Sequence, residues 1–217
     1  MSAFESLKQS FPWPANAHEN RHMRETYTGR GKGIVVELVI ERKLSTMLEV
    51  GSFLGSSIDF WLNACPGLQI VSVDPLGGGW AGTHCKKLRY NQHCLLDLTE
   101  ENIAYLDSEE GLYKTFLKNM NSYRDQLVLI RSTAADAIKQ LQESRFSPDV
   151  IYLDADKSYQ NLEMLFGAFP DAIISGDDYR WKNAEGIEVM KKNVNDFAQA
   201  HNLCVVSHFD TWLLRRP

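Results

Sequence analysis

The stretch that decides the fold is Met47–Gly55, MLEVGSFLG, in which an apolar run ends in an acid and a glycine turn follows. The next apolar run, QIVSVD at residues 69–74, also ends in an acid. Both runs are short and continuous rather than alternating, which is typical of strands covered by helices on both faces. We therefore expect Glu49 and Asp74 to lie at neighbouring strand ends, at one edge of a sheet.

The chain after this stretch continues to alternate strands and helices. Apolar runs at 127–131, 149–153 and 172–176 are each followed by a helical segment, and such alternation predicts a parallel sheet with right-handed crossovers. The last two strands, 203–209 and 211–216, have no helix between them. The sequence therefore predicts an α/β fold with a mostly parallel, Rossmann-like sheet that ends in an antiparallel hairpin.

Length and charge limit the classes of protein. The 217 residues, 44% of them hydrophobic, suit one domain over 1–217 with one sizeable core, in which 1–32 form an N-terminal helical or lid segment. A net charge of −5 argues against a nucleic-acid partner. No apolar run approaches the roughly 20 residues of a membrane span.

Cysteine usage bears on location. The four cysteines match no zinc-knuckle spacing and no signal peptide is recognisable, so reduced thiols and a cytoplasmic location are expected. The pairs His84-Cys85 and His93-Cys94 leave zinc binding as a minor alternative.

The first two acids point to a ligand with an amine and a ribose. Gly51 and Gly55 carry no Cβ and let the backbone pass close to a ligand. Asp74 lies at about the spacing at which an acid meets ribose hydroxyls in dinucleotide folds. The pattern is G-x-x-x-G rather than G-x-G-x-x-G, and Glu49 would repel a pyrophosphate. S-adenosylmethionine, which has a cationic amine, a sulfonium and a ribose, fits better.

A second group of acids follows two later strands. LDADKSY at 153–159 and SGDDYRW at 175–181 come after consecutive strands, so Asp154, Asp177 and Asp178 are expected to converge. Three close carboxylates repel one another unless a cation lies among them, and oxygen-only ligands favour Mg²⁺, Mn²⁺ or Ca²⁺. The alternative is that these acids, with Asp156, only cap helices and turns.

With these motifs in place, the sequence resembles the class I S-adenosylmethionine-dependent methyltransferases from about Gly31 to the end. The resemblance implies a seven-stranded sheet with the last strand antiparallel and helices on both faces. It also implies cofactor-binding residues: the methionine end at Glu49, Gly51, Ser52, Gly55 and Ser57, the ribose at Asp74, the adenine near Ser132, Thr133 and Ala134, with Asp154 beside the cofactor.

LDADKSY and GDDY further resemble the metal-dependent O-methyltransferases, a group that includes caffeoyl-CoA, catechol and bacterial sugar and macrolide enzymes. The resemblance implies Asp154, Asp177 and Asp178 as metal ligands. It implies Asp156 in one branch and Lys157 in another as the base, and a lid within residues 12–32. Tyr159, Tyr179 and Trp181 are candidates for an acceptor pocket, and Trp80 for a cover over the cofactor.

The predicted function is S-adenosylmethionine-dependent O-methylation of a small hydroxylated acceptor of natural-product, sugar or phenolic type, assisted by a divalent metal such as Mg²⁺. A metal lowers the pKa of a bound hydroxyl, and a base then removes its proton. Three alternatives stay open: metal-independent N-methylation, non-catalytic cofactor binding and a nicotinamide-dependent reductase. A homodimer is also left open.

Overall fold

The computed structural model describes residues 1–23, 31–77 and 99–217, which form one sheet flanked by helices. The strands are β1 Thr46–Val50, β2 Gln69–Val73, β3 Leu127–Ile130, β4 Val150–Leu153, β5 Ile173–Gly176, β6 Cys204–His208 and β7 Thr211–Arg215. The helices are α1 Ala3–Ser10, α2 Gly33–Arg42, α3 Ser56–Ala64, α4 Glu100–Asp107, α5 Gly111–Met120, α6 Ala134–Glu143, α7 Tyr159–Ala168 and α8 Val189–Ala200. None of the helices in these ranges is long and apolar enough to cross a bilayer.

The sheet has the predicted layout. Its seven strands lie in the order β3-β2-β1-β4-β5-β7-β6. Strands β1 to β5 pair in parallel, and β7 lies antiparallel between β5 and β6. From β1 the chain first builds the sheet outward through β2 and β3, and then returns to build the other side from β4. The point where the direction changes, beside β1, is the switch point at which ligands bind in open α/β sheets. Glu49 near the end of β1 therefore lies at this switch point.

Strand β1 contributes side chains to two cores, because successive residues of a strand point to opposite faces. Leu48 and Val50 belong to the first core, which lies under α1, α6, α7 and α8. Met47 belongs to the second core, which lies under α2, α3, α4 and α5. By this alternation Glu49 points to the second face, and this orientation places a carboxylate among apolar side chains.

The glycines of the first turn are required by the chain itself. Gly51 has a φ of +88°, and a Cβ there would lie 2.2 Å from the backbone oxygen of Asp154. Gly55 has a φ of +87°, and a Cβ there would lie 2.7 Å from the sulfur of Met120. The space freed by the missing side chains is thus filled by this chain, so these contacts alone explain both glycines.

The sequence interpretation missed one helix, α4, inside the long polar interval that follows Asp74. The hydroxyl oxygen of Thr99 accepts a hydrogen bond from the Asn102 amide at 3.1 Å, and Glu100 and Glu101 occupy the first turn. These are ordinary helix-start signals. They were hidden because the helix buries only Ile103 and Leu106, too few for a clear apolar period.

Some sequence interpretations fall on residues outside the described ranges. Trp80 and the pairs His84-Cys85 and His93-Cys94 lie there, as do residues 24–30 of the predicted lid. The beginning of the N-terminal segment is described, and it packs into the body of the protein: Phe4 and Leu7 of α1 are buried in the first core. The lid stays a prediction.

Gly51→Ala is expected to lower the free energy of unfolding by about 2–4 kcal/mol, because the new methyl group meets the Asp154 carbonyl and alanine disfavours a positive φ. Urea denaturation followed by circular dichroism measures the change. Gly67→Ala is the matched control, because nothing lies within 4 Å of its Cβ position. Equal effects at the two glycines would contradict the close approach between β1 and β4.

Candidate active site

Glu49 is a fully buried carboxylate at the switch point. Its side chain is 0% exposed, and it lies opposite Ser72 of β2 and Tyr152 of β4 in the sheet register. Among the described residues, neither carboxylate oxygen has a hydrogen-bond partner of good geometry. A buried charged group without a partner is costly, so an ionised Glu49 lowers the stability of the fold.

Burial also changes the ionisation of Glu49. It raises the pKa of the carboxyl group from 4.5 to about 7, with a further upward contribution from Asp74. The nearby Ser57 hydroxyl, the Lys32 ammonium and the Trp61 indole act in the opposite direction and lower the pKa. Glu49 therefore changes charge near neutral pH, and a cation bound beside it would hold it ionised.

Asp74 holds the loop that follows β1. Its Oδ2 accepts hydrogen bonds from the amides of Ser52 at 2.8 Å and Phe53 at 3.0 Å. Its Oδ1 accepts one from the amide of Leu76 at 2.8 Å. Each carboxylate oxygen has room for another donor, so this arrangement leaves Asp74 able to accept from the hydroxyls of a ribose.

The other predicted cofactor residues are in two places. Ser52 and Ser57 are buried near Glu49, and the Ser52 hydroxyl bonds that of Ser72 at 2.7 Å. Thr133 instead caps α6 by accepting from the amide of Asp136 at 3.3 Å. Ser132 lines a pocket of about 300 Å³ at the β3 edge, together with Trp13, Pro14, Tyr113, Arg131 and Gln140.

The second acidic group lies after β4 and β5, which are neighbours in the sheet. Leu153 and Gly176 are paired in the register of β4 and β5, and the amide of Asp177 donates to the Leu153 carbonyl at 3.1 Å. Burial raises the pKa of Asp154 well above its usual range, and the Asp177 and Asp178 carboxylates raise it further. Three acids at one edge are therefore close enough to repel one another.

A residue that the sequence interpretation missed, Lys32, lies within this group. Its Nζ is 2.8 Å from Oδ2 of Asp177, and the two side chains are 4% and 8% exposed. The ammonium also lies 5.3 Å from the centre of the Tyr152 ring. The chain around Lys32 is polar and precedes the first predicted helix, so no pattern indicated burial. Only the flanking Gly31 and Gly33 hinted at a close approach.

The two candidate bases differ in position. Lys157 Nζ lies 2.5 Å from Oδ2 of Asp178 and 5.3 Å from the centre of the Trp181 ring. Asp156 is exposed, and Asn161 donates to its backbone oxygen at 3.1 Å. The structure thus places Lys157, and not Asp156, in a direct ion pair with the acidic group.

The aromatic candidates also separate. Tyr179 is buried in the first core, and Tyr159 packs against Phe197 with ring centres 5.7 Å apart. Trp181 is 47% exposed and lies beside Lys157. Tyr179 is therefore part of the core, Tyr159 is half-buried and Trp181 is the most exposed of the three, and their assignment to an acceptor pocket stays a prediction.

The predicted metal ligands do not offer a ready metal site in this arrangement. Oδ2 of Asp177 is paired with Lys32, and its Oδ1 accepts from the amide of Asp178 at 3.0 Å. Oδ2 of Asp178 is paired with Lys157. Within the described ranges, no group of three or more His, Cys, Asp or Glu residues is arranged to hold a metal ion. The prediction of Mg²⁺, Mn²⁺ or Ca²⁺ is not confirmed.

Comparison with solved structures shows the fold of S-adenosylmethionine-dependent methyltransferases. The O-methyltransferase TomG from Streptomyces achromogenes, in complex with SAM, is 13% identical with a TM-score of 0.58, covering 100% of this chain and 91% of TomG. A putative caffeoyl-CoA O-methyltransferase from Staphylococcus aureus is 11% identical with a TM-score of 0.57, covering 99% of this chain and 93% of that one.

A third similar structure is the SAH-bound Podospora anserina methyltransferase PaMTH1, at 15% identity and a TM-score of 0.56, covering 99% of this chain and 86% of that one. No protein-family model matches the sequence, and no curated protein matches it. At these identities the likeness establishes the fold, and the site must be argued from its own residues.

Glu49→Gln is expected to stabilise the free protein in a pH-dependent manner. The pKa of the Glu49 carboxyl group rises from 4.5 in the unfolded chain to about 7 in the folded protein. The free energy of unfolding of the wild type therefore falls as the pH rises through that interval, by up to about 3 kcal/mol. The glutamine variant should therefore gain about that much over the wild type between pH 5 and pH 8 in urea denaturation. The exposed Glu37→Gln is the control. If the free energies of unfolding of Glu49→Gln and wild type changed in parallel with pH, the raised pKa assigned to Glu49 would be contradicted.

Proposed function

We propose that this chain is an S-adenosylmethionine-dependent methyltransferase that methylates a hydroxyl group of a small acceptor. The observation that carries the proposal is Glu49, a buried carboxylate with no hydrogen-bond partner of good geometry among the described residues. It lies at the switch point of the sheet, in a fold similar to that of the SAM-bound O-methyltransferase TomG. A cationic ligand at Glu49 removes the cost of leaving that charge buried and unpaired.

The cofactor would be held by two acids. Glu49 pairs with the amine of its methionine portion, and Asp74 accepts from the ribose hydroxyls while it holds the Ser52–Phe53 turn. S-adenosylmethionine supplies an electrophilic methyl group on a positively charged sulfur. Similar structures described as in complex with SAM or bound to SAH support this choice of ligand.

The acceptor hydroxyl is activated at the Lys157–Asp178 pair. The proton of the hydroxyl passes to the Asp178 carboxylate of this pair, and the electron pair of the oxygen forms the new bond to the methyl carbon. The Lys157 ammonium stabilises the oxygen anion as it forms. The sulfur keeps the electrons of the bond that breaks, so S-adenosylhomocysteine leaves neutral at sulfur. The Lys157–Asp178 pair suits proton removal better than Asp156, because Lys157 lies within the acidic group and beside Trp181. The acceptor contacts Trp181, which favours a flat or ring-shaped molecule.

Divalent-metal dependence was predicted from the three aspartates, and it requires the oxygens now paired with Lys32 and Lys157 to be released. No step is therefore assigned to a metal ion. Assays in EDTA and in Mg²⁺ distinguish metal-assisted activation from activation by the Lys157–Asp178 pair. A metal-dependent enzyme loses turnover in EDTA, whereas an enzyme that uses the ion pair does not.

Calorimetric titration with S-adenosylmethionine should detect binding that weakens as the pH falls below about 7, the pKa of Glu49. The amine of the ligand stays protonated there, so each pH unit costs up to about tenfold in affinity. Glu49→Gln should bind roughly 10–100-fold more weakly, with no such pH dependence. Absence of binding by the wild type would end the proposal.

Lys157→Met is expected to lower turnover by about 10²–10⁴-fold while cofactor affinity stays unchanged. S-adenosylhomocysteine release with a panel of catechols, phenolic acids and sugars measures it. Asp156→Asn is the matched control and should keep at least about half of the activity, because its side chain is exposed. A larger loss of turnover in Asp156→Asn than in Lys157→Met would instead assign proton removal to Asp156.

Two further outcomes would favour the alternative functions. Turnover with amines alone would indicate N-methylation, and cofactor binding without turnover would indicate a non-catalytic role.

A further inference from the structure

Lys32 is a lysine in a place where lysines are rarely found. Its ammonium and the Asp177 carboxylate are both almost fully buried, 2.8 Å apart, and they lie at the carboxyl edge of the sheet next to Asp154. Removing two charges from water is costly, and the gain from pairing them seldom exceeds that cost. A buried pair at a candidate active site therefore suggests a role beyond stability.

The sequence builds this position through Gly31. That residue has a φ of +101°, and a Cβ there would lie 2.3 Å from the His208 carbonyl and 2.9 Å from Oγ1 of Thr211. The absence of a side chain lets the segment before α2 press against the β6–β7 hairpin. The next residue, Lys32, is thereby directed under the sheet edge, over the face of the Tyr152 ring.

The same hairpin holds the acid that Lys32 meets. The indole of Trp212 donates to the backbone oxygen of Asp177 at 3.0 Å, and the amide of Tyr179 donates to the Asp210 carbonyl at 2.8 Å. Both members of the pair are thus positioned by the antiparallel end of the sheet.

We propose that the Lys32 ammonium is the resident cation of the acidic group formed by Asp154, Asp177 and Asp178, in the place where a divalent metal ion would otherwise bind. Lys157 supplies the second positive charge through Asp178. Two ammonium groups then offset the charge of three carboxylates. A divalent ion cannot enter without displacing Lys32, because the two cations would compete for the Asp177 carboxylate and repel each other.

Which cation occupies the acidic group can be determined whatever reaction the protein catalyses. One part of the inference rests on the proposed function, namely that Lys32 assists methyl transfer by positioning the Asp177–Asp178 turn and, through it, Lys157. The experiment therefore reads metal binding directly, without cofactor, acceptor or turnover. Failure of methyl transfer would leave its result unchanged.

The test is titration of Mn²⁺ into wild type and Lys32→Met, followed by the electron paramagnetic resonance signal of free Mn²⁺. Methionine keeps the length of the side chain and removes its charge. Wild type should show no saturable binding below about 1 mM, whereas Lys32→Met should bind one ion below that concentration. Adding Asp178→Asn to Lys32→Met should abolish the new binding.

Thermal unfolding gives a second readout. Lys32→Met should melt about 10 °C lower than wild type, because Asp177 is left buried and uncompensated, and Mn²⁺ should restore most of the loss. The matched control is Lys192→Met, since Lys192 forms an exposed pair with Asp196 at 2.6 Å. Its melting temperature should change little and should not respond to Mn²⁺.

Two results would overturn the proposal. One is stoichiometric Mn²⁺ binding by wild type that disappears in Asp178→Asn, which would show that a metal and Lys32 coexist. The other is a folded Lys32→Met that binds no Mn²⁺, which would show that the ammonium does not occupy a cation site. If Lys32→Met does not fold, the titrations of wild type and Asp178→Asn still decide whether a metal ion and Lys32 coexist.

Discussion

Buried charge at the carboxyl edge of the sheet is the constraint on which the rest of the structure depends. Glu49 lies there without a hydrogen-bond partner of good geometry among the described residues, and Lys32, just before α2, forms a buried pair with Asp177, just after β5. Such groups are tolerated only when the surrounding structure holds them rigidly. Two apolar cores, one on each face of the sheet, supply that rigidity.

Backbone strain is found at the same edge. Phe53, Leu76 and Asp178 follow β1, β2 and β5, and each has a positive φ, of 46°, 46° and 64°. Non-glycine residues seldom adopt this conformation, and where they do they concentrate at functional sites. The loops that bring Asp74 onto the turn after β1, and Asp178 onto Lys157, therefore contain this conformation. Elsewhere in the described ranges it is found at Lys43, Arg145, Asn202 and Phe209.

The sequence predicted most of the framework. The five parallel strands, the closing hairpin and seven of the eight helices in the described ranges were predicted, mainly from apolar runs and their spacing, because periodicity reports directly on which face is buried. The meeting of Asp154 with Asp177 was also predictable, since the ends of adjacent parallel strands lie at one edge. The helix α4 was missed because it buries only two apolar side chains.

By itself, then, the sequence determined which residues stand at strand ends, since local pattern specifies strands, turns and the acids that follow them. Tertiary structure alone decided what those acids meet. Lys32 precedes Asp177 by 145 positions, and no local pattern encodes a contact across that separation. The physical reason is that a side chain's partner is selected by packing of distant elements, here by the approach of Gly31 to the β6–β7 hairpin.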